Sequence, residues 1–111
     1  MRHTAAVMIL LLLAACARVV PPAPRITMSP APDTVSAPTE HGLTVTADGG
    51  RLTSVLAYAG RDLVPGSFDA SRTRWRSSRA LTPGTEYVVN AVAAGQDGVA
   101  AQVDGRFETR R

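Results

Sequence analysis

The chain has 111 residues, with twelve basic side chains against nine acidic ones and a high pI, but it holds a single cysteine and only two histidines. That inventory argues against a disulfide scaffold and against zinc or copper centres, which draw on several Cys or His ligands. All twelve basic residues are arginine. Alanine is abundant, so the basic balance reads as codon bias and carries no nucleic-acid signal, and no nucleic-acid partner is expected.

Met1-Arg2-His3 and Thr4 lead into the apolar run Ala5 to Ala15. This is the charged start and short apolar stretch of a secretory signal. A spanning helix needs about 20 apolar residues, and this run stops short of that at Cys16, Arg18 and prolines. Leu13-Ala14-Ala15-Cys16 resembles the bacterial lipobox. The resemblance implies cleavage between Ala15 and Cys16, a diacylglycerol on the Cys16 thiol and residence on the outer face of the cell membrane. Two acyl chains meet the two-signal requirement for stable anchoring, and a lipidated cysteine needs no disulfide partner. With Arg2 removed, eleven arginines face nine acids and the net charge is small.

Residues 16–25 form the expected tether, with Pro21, Pro22 and Pro24 close together. At ~3.1 Å per residue it reaches about 25–30 Å if extended like polyproline. Residues 26–111 are then one domain with room for one small core. Its texture is short runs of Val, Thr, Leu and aromatic residues broken by Gly, Pro, Asp or Asn, which predicts an all-β sandwich. Seven strands are expected, at Arg25–Met28, Leu43–Ala47, Leu52–Tyr58, Leu63–Phe68, Arg74–Ser77, Glu86–Ala93 and Ala100–Thr109. Asp48-Gly49-Gly50, Ala59-Gly60-Arg61-Asp62 and Gln96-Asp97-Gly98 supply turns, where Gly takes positive φ without a steric penalty. Period-two alternation sets Leu43, Val45 and Ala47 on one face, and likewise Leu52, Leu56 and Tyr58 against Thr53 and Ala57.

Trp75, flanked by arginines, is the expected large core aromatic, with Phe68 and Phe107 beside it. Arg72, Arg74 and Arg76 would share the opposite face of that strand. With Arg79 they make a positive ridge that either keeps an edge solvated or touches anionic lipid or wall polymer. His41 stands alone, without a nucleophile elbow, and the aspartates are scattered singly among turns, so no catalytic residue, metal site or cofactor is expected.

Leu81-Thr82-Pro83-Gly84-Thr85-Glu86-Tyr87 resembles the tyrosine corner of immunoglobulin-like and fibronectin type III sandwiches, in which the phenol bonds upstream backbone. The resemblance extends further. Ile26 to Asp33, Val35 to Thr39, Leu43 to Leu52, the Trp75 strand, that corner, Gly95-Gln96-Asp97-Gly98 and Phe107-Glu108-Thr109 follow the order of the membrane-proximal Ig-like domain of actinobacterial L,D-transpeptidases. Those enzymes are also lipoproteins with proline-rich tethers. Their catalytic Ser-His-Gly-Cys motif has no counterpart before Arg111, so the resemblance implies a non-catalytic spacer or binding module associated with peptidoglycan cross-linking. It acts either alone or as a piece of a split or truncated transpeptidase. Peptidoglycan or a cell-wall enzyme is the implied partner. A small Ig-like copper carrier has a similar early Ser-Pro-Ala segment but needs histidines this chain lacks. Whether such domains pair is left open.

Overall fold

The computed structural model describes residues 22–111. Eight strands follow in order: β1 Arg25–Ser29, β2 Thr44–Asp48, β3 Gly50–Ala59, β4 Asp62–Leu63, β5 Gly66–Phe68, β6 Arg74–Ser77, β7 Glu86–Gly95 and β8 Ala100–Glu108. They form two antiparallel four-stranded sheets. Sheet one runs β1-β2-β6-β5 and sheet two β4-β3-β7-β8. The only helical element among the described residues is the 3-10 turn Gln96–Gly98 between β7 and β8.

Alternation builds the core between the sheets. Val45 and Ala47 of β2 and Tyr87, Val89, Ala91 and Ala93 of β7 are buried, while Thr44, Thr46, Val88 and Asn90 point away. Trp75 of β6 and Phe107 of β8 supply the bulk, with Leu43 and Leu52 fully buried beside them. Phe68 is half-buried at the margin. Much of the remainder is alanine, so the core is light.

The expected strand Leu63–Phe68 is two strands in different sheets. The Val64 N–H still donates to the Ala57 carbonyl of sheet two at 2.8 Å, whereas the next residue's carbonyl, that of Pro65, accepts from Ser78 beside sheet one at 2.8 Å. Pro65 has no N–H for a ladder, so the chain changes sheets there.

The expected face of β3 is also corrected. Its register with β7 shifts between Leu52 and Ser54. That bulge places an extra residue at Thr53, and one extra residue turns every following side chain to the other face. Leu52 points inward, as expected; after it Val55, Ala57 and Ala59 face the core, while Leu56 and Tyr58 face out.

The packing of the domain reaches upstream of Ile26. Pro24 is buried; a Cβ on Gly50 would collide with its ring, and one on Gly95 would press on it at 3.1 Å. After β1 the chain crosses to sheet two, where Asp33 and Ala37 donate to Arg106 and Glu108 carbonyls at 2.7 and 2.9 Å, and Ala37 bridges Thr109 in parallel. This segment covers the outer edge of β8, which would otherwise offer unpaired backbone to another strand.

Candidate functional site

The tyrosine corner forms as expected. Tyr87 is buried, and its hydroxyl accepts the Thr82 N–H at 2.7 Å. Its ring stacks on Phe107, its cross-strand partner, at 5.2 Å between centroids. Thr109, the one buried polar residue among the described residues, closes the same corner by donating to the Thr82 carbonyl at 2.6 Å and accepting from the Thr85 N–H at 3.0 Å. The arrangement satisfies buried polar groups and ties the β6–β7 connection to the last strand. It is structural.

The arginine ridge is only partly there. Arg74 and Arg76 lie exposed on β6, on the side opposite buried Trp75. Their register partners are Thr46 and Thr44 on β2 and, for Arg76, Ser67 on β5. Thr27 and Ser29 of β1 continue those rows. Partners in register share a face, so the outside of sheet one sets two guanidinium groups among hydroxyls. Among the described residues neither is ion-paired.

Arg72 is not on that ridge. It sits in the turn before β6 at φ 58, where its Nε donates to the Leu52 carbonyl at 3.0 Å and its own carbonyl accepts the Leu52 N–H at 2.7 Å. Its guanidinium lies over the Phe68 ring, 4.0 Å from the centroid. Arg72 thus clamps the two sheets together at the bulge. Asp69 shapes the same turn by accepting the N–H groups of Thr73 at 3.0 Å and Arg74 at 3.2 Å. Partial desolvation pushes its carboxyl up, but those bonds and the Ser71 and Thr73 hydroxyls outweigh it and hold the carboxyl below its ordinary value. Arg79 lies past the end of β6, exposed, beside a groove lined by Leu63, Val64, Pro65 and Leu81.

His41 is exposed in the turn before β2. Among the described residues no three His, Cys, Asp or Glu side chains come together to hold a metal. Its neighbour Glu40 is taken by Arg110, whose guanidinium bonds it at 2.6 Å and holds its carboxyl below the usual range. Ala15 and Cys16, the expected cleavage and lipidation positions, lie outside the described residues. No helix among the described residues is long and apolar enough to cross a membrane.

One surface escaped the sequence reading. Leu56, Tyr58, Leu63 and Val88 are exposed together on the outside of sheet two. Alternation alone places Leu56 and Tyr58 in the core, and only the register between β3 and β7 reveals otherwise.

Two sheets in the order β1-β2-β6-β5 and β4-β3-β7-β8, joined by a tyrosine corner, define an immunoglobulin-like sandwich. A family model, the bacterial Ig domain, matches residues 34–111, and the chain belongs to that family. No curated protein sequence matches it. The module is a non-catalytic one, of the binding or spacer kind.

Proposed function

We propose that this chain is a lipoprotein anchored through Cys16 to the outer face of the cell membrane, whose Ig-like domain spaces or binds components of the wall beside the peptidoglycan cross-linking machinery. The observation that carries the reading is the separation of the domain's two ends. Pro24 packs on Gly50 and Gly95 at one pole, and the Gly84 N–H bonds the Arg110 carbonyl at the other. The ten residues of β7 lie between them, about 30 Å at ~3.3 Å per residue. A tether entering at Pro24 therefore holds the far pole away from the bilayer by the tether's length plus that of the sandwich.

Arg74 and Arg76, among the hydroxyls of sheet one, are the groups suited to anionic wall polymer or lipid headgroups. Each basic residue near an anionic surface contributes about 1 kcal/mol. The experiment is co-sedimentation of the purified protein with isolated envelope and with purified peptidoglycan at low salt. The double variant Arg74→Glu, Arg76→Glu should lose most of the pelleted fraction. Equal pelleting of both proteins refutes the contact.

A second reading rests on the motif order from Ile26 to Thr109, which resembles the transpeptidase-associated domain. On it, the module works with a catalytic domain encoded elsewhere. Genomic sequence immediately downstream that encodes a Ser-His-Gly-Cys region favours this reading; an unrelated gene counts against it.

A further inference from the structure

Four of the exposed large apolar side chains stand on one surface, the outer face of sheet two. Leu63, Tyr58 and Val88 are successive register partners across β4, β3 and β7, and Arg106 of β8 completes the row. Leu56 lies in the neighbouring row with Asn90 and Asp104. Their exposures are 58% for Leu63, 38% for Tyr58, 40% for Val88 and 43% for Leu56. A contiguous apolar patch on a sheet face marks an interaction surface. Three of the four residues are aliphatic and offer a sugar neither stacking nor a hydrogen bond, so the patch suits protein.

We propose that a second copy of this chain covers it, the two sheet-two faces packing about a two-fold axis that runs along the strands. Charge selects both the occupant and the axis. Glu86 and Glu108 close the face at its β7–β8 side, and Glu86 is paired with Arg106 at 3.7 Å. Glu108 has no ion-pair partner among the described residues, and neither has Arg61. Arg61 stands in the β3–β4 turn, at the same end of the sheet and its opposite edge.

A two-fold axis along the strands exchanges the edges and keeps the height. It brings Arg61 of each copy to Glu108 of the other, sets Tyr58 against Val88 twice, and lays Leu63 on the aliphatic stem of Arg106. An axis across the strands would instead keep each edge over itself and leave Arg61 and Glu108 apart. The favoured axis also leaves both Pro24 ends at one pole, as two chains tethered to one membrane require, although the pairing does not depend on the tether.

Area is adequate. β3, β7 and β8 run nine or ten residues and β4 only two, so at ~4.8 Å between strands and ~3.4 Å per residue the face is on the order of 500 Å². Two such faces bury about 1,000 Å², the threshold for a specific interface and in keeping with a reversible dimer.

Sedimentation velocity of the full-length protein in detergent, across concentrations, tests the proposal. The wild type should show a monomer–dimer equilibrium, and Tyr58→Asp should weaken it at least about 30-fold, as loss of a central aromatic anchor does. Arg61→Glu and Glu108→Arg should each weaken it about 3- to 10-fold, and the double exchange should restore it. Near-ultraviolet circular dichroism of Trp75 checks that each variant is folded. A wild type that stays monomeric at about 1 mM, or that captures another protein in preference to itself, overturns the proposal. So does a dimer indifferent to Tyr58→Asp, or a double exchange that fails to recover.

Discussion

The Tyr87 hydroxyl accepts the Thr82 N–H at 2.7 Å across the loop that joins the two sheets. Replacing Tyr87 by Phe keeps the stack on Phe107 but leaves that part-buried N–H without its acceptor, a loss of about 1–3 kcal/mol. Urea unfolding followed by Trp75 fluorescence should show the shift in midpoint. A change below about 0.3 kcal/mol would mean the bond contributes nothing.

The bulge at Thr53 makes a paired prediction. Leu52 is fully buried and Leu56 is not. Leu52→Ala should destabilise by about 2–5 kcal/mol, whereas Leu56→Ala should stay within about 0.5 kcal/mol. Comparable losses in chemical denaturation would restore the simple alternation and remove the bulge.

These two cases separate what sequence could reveal from what it could not. The corner was legible because seven consecutive residues, Leu81 to Tyr87, carry the whole motif and the bond spans only five positions. The same local logic made Trp75 and the β2 alternation readable. The facing of Leu56 and Tyr58 depends on a register with β7 some thirty to forty positions away, and on Arg72 bonding the Leu52 carbonyl from the turn before β6. No local pattern encodes either. Arg72 misled for a related reason: its spacing from Arg74 and Arg76 fits a strand, but its positive φ puts it in a turn.

Close packing over Gly66 gives a further test. A Cβ there would collide with the Trp75 indole and meet the Arg76 carbonyl oxygen at 2.5 Å. Gly66→Ala should therefore destabilise by about 1–3 kcal/mol through overpacking, with a displaced Trp75 emission maximum. Unchanged emission and stability would show that β5 yields freely.

Asp69 predicts an acid-sensitive turn. Because its folded carboxyl is held below the ordinary value, its contribution is present above the unfolded carboxylate pKa, near 4, and disappears as pH falls through the lower folded value. Thermal unfolding from pH 5 to pH 2 should lose stability in the wild type over that window. Asp69→Asn should start lower and lack that part of the decline; parallel curves would remove Asp69 as a cause.

The proposed function stands on Cys16. Metabolic labelling with an alkyne fatty acid, followed by membrane fractionation, should show the wild type labelled and pelleting with membranes, and Cys16→Ala unlabelled and either released or left unprocessed. A wild type that takes no label, or a Cys16→Ala variant that is still labelled, would contradict the anchored reading.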